Sequence, residues 1–194
     1  MPRTKQFDEA AVLTKAMHLF WEKGYHATSV SDLVQALGIN RASLYDTFGD
    51  KQQLFERAFT EYRAINRQRI QAVFNQHKSV RAGLEALLLG SLEAELSTEQ
   101  PRGCFAVNLS TQVSPKDDRL TKLLFENQRF FEQVFADYLQ KGVKQGELSP
   151  TKDLQELASY LYTLYAGTKV IARTHPDPIS LGGIVQTGLH VLEK

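Results

Sequence analysis

The chain has 194 residues, 42% of them hydrophobic and 23% charged, with a formal net charge of +1. That length allows one domain with a full core or a small domain joined to a larger one, and the near-neutral balance excludes a polycation that holds nucleic acid by charge alone. A single cysteine excludes an internal disulfide and a multi-cysteine zinc site, and no apolar run is long enough for a signal peptide or a membrane span, so the expectation is a cytoplasmic protein with no membrane partner.

In chain order the pattern is helical throughout. Asp8 to Lys23 carries Val12, Leu13, Ala16, Met17, Phe20 and Trp21 along one side and stops at Gly24. From Thr28 to Lys51 two short helices follow, joined by a glycine turn. The first opens near Thr28 and Ser29, whose hydroxyls can accept free N–H groups, and carries Val30, Leu33, Val34 and Leu37 up to Gly38. Asn40 caps the second, whose inward residues are Leu44 and Phe48, leaving Arg41, Ala42, Ser43, Tyr45, Asp46 and Thr47 on a polar face. A short polar helix held to a partner by a turn of about three or four residues is the part that enters a DNA major groove.

Gly49 ends that helix and Asp50 opens the next, with Gln53 completing a capping box. Leu54, Phe55, Ala58, Phe59, Tyr62, Ile65, Ile70, Val73 and Phe74 keep a three-four rhythm along a long linking helix, residues 50–76. Helices then follow over Val80–Leu96, Cys104–Val113, Asp117 or Asp118 to near Gly142, Leu154–Arg173 and, opened by Asp177 and Pro178, Ile179–Leu192. The fold class is all-α, about nine helices: residues 1–51 form a helix-turn-helix domain and residues 77–194 a second helical domain. Up to Gln76 there are ten Lys and Arg against eight Asp and Glu, and beyond it thirteen against fourteen, so any DNA affinity depends on where the charges sit.

Gly-Tyr-x-x-Thr-Ser-Val-x-Asp-Leu, followed by Leu-Gly-Ile-x-x-x-Ser-Leu-Tyr-x-x-Phe-Gly-Asp-Lys, closely resembles the DNA-binding domain of the tetracycline-repressor (TetR) family of bacterial transcription regulators. The resemblance spans about the first third of the chain. It implies that Thr28, Ser29, Tyr45 and Lys51 contact phosphates, for which hydroxyls, helix N-terminal amides and a lysine ammonium are suited. Arg41 and Thr47 are candidates for base edges, with Ser43 able to do either. Asp46 departs from the family pattern: it either accepts from a cytosine amino group or orients Arg41 or Lys51. An N-terminal arm with Arg3 and Lys5 either reaches a groove or is a solvated tail.

The resemblance also implies a C-terminal domain that binds a small-molecule effector and dimerises through its final two helices. The effector cavity would draw on Cys104, Phe105, Asn108, Phe125, Asn127, Gln128, Phe131, Tyr162 and Tyr165, a wall of aromatics and amides suited to a largely uncharged organic molecule. Gly167, Gly182, Gly183 and Gly188 each lower helix propensity by about 1 kcal/mol relative to alanine, which suits close helix approach at a dimer interface; packing within one subunit is the alternative. Arg102-Gly103-Cys104 looks like the Gly-Cys pair opening the sixth helix in a subset of the family. Cys104 is then either a sensor of electrophiles or oxidants, its thiolate favoured by the helix N-terminus and Arg102, or a quiet core thiol.

The function so implied is a homodimeric regulator, most often a repressor, released from a palindromic double-stranded DNA operator. Neither metal nor cofactor is expected, since the five histidines are not at ligand spacing. No glycine-rich phosphate loop or nucleophile elbow points to an enzyme. A helical protein–protein interaction module without DNA binding is the alternative.

Overall fold

The computed structural model describes residues 7–98, 102–114, 116–174 and 177–193. These form nine α-helices, α1 (Glu9–Lys23), α2 (Val30–Leu37), α3 (Arg41–Phe48), α4 (Lys51–Asn75), α5 (Val80–Leu96), α6 (Phe105–Ser110), α7 (Asp118–Lys144), α8 (Leu154–Thr174) and α9 (Pro178–Leu189), with a closing 3-10 turn at His190–Leu192. Among the described residues there is no strand, as the helical periodicity predicts. No helix there is long and apolar enough to cross a membrane.

Local capping sets most of the helix starts. Asp8 accepts from the amides of Ala10 and Ala11. At α2 Ser29 forms a capping box, its hydroxyl accepting from Asp32 N and its own amide donating to the Asp32 carboxylate. Asn40 caps α3, Asp50 with Gln53 boxes α4, and Asp177 with Pro178 at the first turn opens α9. Gly38 ends α2 at φ 68°, the left-handed conformation that a side chain disfavours and that turns the chain toward α3.

Two helix ends differ from the sequence expectation. The sixth helix, expected over Cys104–Val113, is regular only to Ser110, because the hydroxyls of Ser110 and Thr111 donate back to Val107 O and Asn108 O at 2.7 and 2.9 Å and the chain passes into turns. The last helix stops at Leu189 and tightens into the 3-10 turn rather than running to Leu192.

Two cores organise these helices. The first gathers the apolar faces of α1, α2 and α3, the N-terminal half of α4, and Phe105, Ala106 and Leu109 of α6, with Leu120 of α7. The second gathers the C-terminal half of α4 with α5, α7, α8 and α9. Helix α4 therefore contributes to both. Phe105 packs its ring against Phe59, Tyr62, Trp21 and Phe55, with centroids 5.3–5.9 Å away. This edge-and-face aromatic cluster fastens α6 to the N-terminal helices.

The start of α5 is capped from a distance. Beside Ser79, whose hydroxyl accepts from Ala82 N, the Glu147 carboxylate accepts from Val80 N at 2.7 Å, Arg81 N at 2.8 Å and the Ser79 hydroxyl at 2.7 Å. Burial pushes the Glu147 carboxyl up, but the bonds from Arg81, Ser79 and Val80 outweigh it and hold it below its usual value. Glu147→Ala is expected to cost about 1–2 kcal/mol, as the loss of an N-cap does. A folded value below the unfolded one means that the contribution is present above the ordinary carboxylate range and is lost as pH falls through the folded value. Thermal melts of the native and variant proteins should therefore converge on acidification. A gap that is unchanged toward acid pH would mean that the carboxylate charge is not what caps α5.

Candidate nucleic-acid interface

Helices α2 and α3 meet through Leu33, Leu37, Ile39 and Leu44, all buried, so the opposite side of α3 is left to solvent. Arg41, Ala42, Tyr45 and Asp46 are exposed there and share one face by helical spacing, with Ser43 and Thr47 half-buried at its edges. The Tyr45 side is 42% exposed, and the Arg41 guanidinium lies 6.0 Å from its ring centroid. The helix is fixed at both ends. Asn40 Oδ1 accepts from Ser43 N at 2.8 Å, and Arg57 of α4 donates to Thr47 O at 3.0 Å while lying 4.7 Å from the Phe48 ring. Binding donors are thus presented on a rigid element.

At the N-terminus of α2, Ser29 is exposed and Asp32 is bridged to Lys23 at 2.8 Å. The Lys23 bond, followed by those from the Ser29 hydroxyl and amide, holds the Asp32 carboxyl far below its usual range. That charge complements the positive end of α2.

Two of the expected phosphate contacts are placed differently from the sequence expectation. Thr28 is fully buried and donates its hydroxyl to Gly24 O at 2.7 Å, so its side chain closes the α1–α2 loop rather than facing solvent. Lys51, at the first position of α4, turns its ammonium inward to Tyr25 O at 3.1 Å and Thr28 O at 3.0 Å, 4.4 Å above the Tyr25 ring. It clamps the same loop and keeps one N–H for another acceptor. Asp46 orients neither Arg41 nor Lys51: among the described residues it has no hydrogen-bonded or ion-paired partner. The arm residues Arg3 and Lys5 lie outside the described residues.

The expected effector residues do not converge on one cavity. Phe105 belongs to the N-terminal aromatic core. Asn108 bridges Arg102 O and Arg173 at 2.7 Å each, at the surface between α6 and α8. Phe125 is 61% exposed and Gln128 is exposed, donating to Glu132 at 2.9 Å. Of that set, Phe131, Tyr162 and Tyr165 pack in the second core and Asn127 is buried on α7, while Cys104 is half-buried against the first core. Phe131 stacks on Tyr162 with centroids 6.4 Å apart, and Tyr165 packs edge-on to Phe135. Cys104 Sγ lies 3.3 Å from the Tyr62 hydroxyl, whose pKa is pushed up by burial and then by the neighbouring Cys104. Arg102, expected to favour the thiolate, is instead turned to α1, paired with Glu22 at 2.7 Å and bonded to His18 at 2.9 Å.

Of the buried polar groups on α7 and α8, sequence reasoning named Asn127 and missed Glu132, Thr168 and Lys169. The available signal was spacing, since Lys169 follows Tyr162 and Tyr165 along one face of α8.

A capped, rigid helix-turn-helix carried on a helical body defines a class, the helix-turn-helix transcription regulators. Residues 12–58 match the bacterial regulatory proteins of the tetR family, and residues 81–187 match the tetracyclin repressor-like C-terminal domain. The HTH-type transcriptional repressor ComR of Escherichia coli (strain K12) is 34% identical over 173 residues, 88% of this chain and 82% of that protein. An uncharacterized HTH-type transcriptional regulator of Bacillus subtilis (strain 168), YezE, is 31% identical over 100% of both chains. Among solved structures, a cysteine mutant of the TetR family transcriptional regulator CifR complexed with 26-base-pair double-strand operator DNA superposes with a TM-score of 0.87 at 28% identity, covering 98% of this chain and 99% of that one. The chain belongs to the tetR family of bacterial regulatory proteins.

Proposed function

We propose that the chain is a cytoplasmic, homodimeric repressor whose α2–α3 unit binds one half of a palindromic operator and whose C-terminal helices release it when an effector binds. Residues 1–51 act as the DNA-binding domain, extended by α4 to residue 76, and residues 77–194 as the effector and dimer domain. The observation that carries this reading is the free polar face of α3, where Arg41, Tyr45 and Asp46 stand exposed on a helix locked at both ends. Ser29, Ala42, Ser43 and Thr47 flank that face, and Lys51 has one N–H left for a phosphate. The repressor name of ComR and the operator-bound state of CifR support the same direction.

Dimerisation is supported by the outer side of α8 and α9. Tyr160, Val170, Ile171, Ile179 and Ile184 are exposed there, Ile179 to 87%, and a Cβ at Gly167, Gly182 or Gly183 would meet no described atom within 4 Å. Gly188 is different, because a Cβ there would lie 2.5 Å from Leu164; it serves packing inside one subunit. Release follows from either a small molecule in the α4–α7–α8 interior or modification of Cys104 in the Gly-Cys pair, both beside Tyr62 of α4.

A mobility-shift assay with DNA from upstream of the gene, with light scattering on the same samples, tests the proposal. The native protein is expected to shift that fragment as a dimer, and a thiol-alkylating reagent to reverse the shift if Cys104 is the trigger. Gly183→Trp is expected to yield monomers that no longer shift the fragment, since each head reads only a half-site. A native monomer, or a dimer with no preference for the upstream fragment over random DNA, would sink the reading.

A further inference from the structure

The second core is largely apolar and aromatic, and most of its buried polar residues lie on α7 and α8. On α8, Lys169 is 5% exposed, with its ammonium 4.5 Å from the centroid of the Tyr165 ring. Among the described residues no carboxylate pairs with it. Glu132, also buried, is held instead by Gln128 at 2.9 Å and Arg129 at 3.8 Å. On α7, Asn127 is 1% exposed and its Oδ1 has no hydrogen-bond partner among the described residues, while its side chain opposes the upward push of burial on the Tyr162 hydroxyl. Lys169 lies two helical turns beyond Tyr162 on the same face of α8, and Tyr162 is the ring that stacks on Phe131 of α7.

An ammonium held over an aromatic ring with no carboxylate beside it, and a buried amide oxygen with no donor, are each left with capacity for a further partner. Their chemistry is complementary to a ligand that brings an anion for one and a donor for the other. We propose that Lys169 and Asn127 are the recognition groups of the effector site, and that the effector is an aromatic carboxylate carrying a hydroxyl. The carboxylate pairs with Lys169, the hydroxyl donates to Asn127 Oδ1, and the ring packs on the stacked pair Phe131 and Tyr162. This rests on the reading of the chain as an effector-responsive regulator, and it replaces the largely uncharged ligand that the sequence suggests with an anionic one.

The test uses thermal unfolding of the full chain with salicylate, meta-hydroxybenzoate and para-hydroxybenzoate, with benzoate, and with the corresponding carboxamides. At least one hydroxy acid is expected to raise the Tm by about 3 °C or more, with its amide inert. Lys169→Met removes the ammonium at nearly constant volume; it is expected to leave the unliganded Tm at or above the native value and abolish the response to acids. Asn127→Ala is expected to reduce the hydroxy-acid response to that of benzoate. The proposal is overturned if all the acids are inert, if amides act equally, if Lys169→Met keeps the response, or if that variant melts several degrees lower without ligand. The mobility-shift assay separates the two readings. Loss of operator binding in every condition removes the regulator reading but leaves an acid response dependent on Lys169 intact. Operator release by an amide, unchanged in Lys169→Met, preserves the regulator and removes the anion site.

Discussion

Arg41→Ala is expected to relax the sequence preference of operator binding by about 1–3 kcal/mol at one base pair of each half-site, about five- to 150-fold. Arg41 opens α3 and is exposed, and no ion pair among the described residues engages its guanidinium. Its described neighbour is the Tyr45 ring, 6.0 Å away, which leaves the planar fork of donors available to the O6 and N7 of a guanine. Because the side chain supports little inside the protein, the variant should fold with a Tm close to the native one. Binding is measured against operator fragments substituted at each base pair in turn. Discrimination at one position per half-site should collapse while the others keep theirs. A uniform weakening with a shallower salt dependence would assign Arg41 to a phosphate instead.

The parts of this fold that follow from interactions within about four residues were legible in the sequence. The caps Asp8, Asn40 and Asp50, the turn at Gly38 and the apolar stripe of α4 depend on short-range hydrogen bonds and periodicity, and the structure has them. The inward faces of α2 and α3, Leu33, Leu37, Leu44 and Phe48, were legible for the same reason. What was not legible is where a side chain with two options points. Thr28 can cap a helix or bond backward, and the Gly24 carbonyl decides it. Lys51 can reach solvent or fold inward, and the deciding acceptors lie as many as 26 residues away in sequence. Phe105 has an apolar ring that suits either core, and only the docking of α6 against Trp21 and Phe59 assigns it to the first. Lys169 is the extreme case, since a lysine in a helix is ordinarily solvated and its spacing from Tyr162 and Tyr165 is the one local sign of its burial.

The same tertiary contacts connect the two ends of the molecule. Tyr62 touches Cys104 through its hydroxyl and packs its ring against Phe105 and Trp21, so it stands where the interior between α4, α7 and α8 meets the aromatic core of the N-terminal helices. A change on the effector side that displaces Tyr62 is met by rings already in contact with α1. Close packing transmits such a displacement because the cluster has little room to absorb it.

Lys51→Ala is expected to affect stability and DNA binding together, by separable routes. The ammonium satisfies the carbonyls of Tyr25 and Thr28 and lies over the Tyr25 ring, so its loss leaves two partly buried acceptors unpaired and removes a cation–π contact. The cost is about 2 kcal/mol, a fall in Tm of about 4–8 °C for a chain of this size. The loop it clamps carries Ser29 and the N-terminus of α2, so the variant also loosens an element that faces the phosphates. If the third N–H contacts a phosphate, binding to operator and random DNA weakens alike and the slope of affinity against salt falls by about one ion. Lys51→Arg divides the two roles: a guanidinium keeps the charge, while its planar fork cannot reproduce the two carbonyl bonds and ring contact of a compact ammonium. That variant should therefore recover the salt slope and only part of the Tm. A lowered Tm with an unchanged salt slope in Lys51→Ala would make Lys51 a clamp and nothing more, and a native Tm would dismiss the clamp.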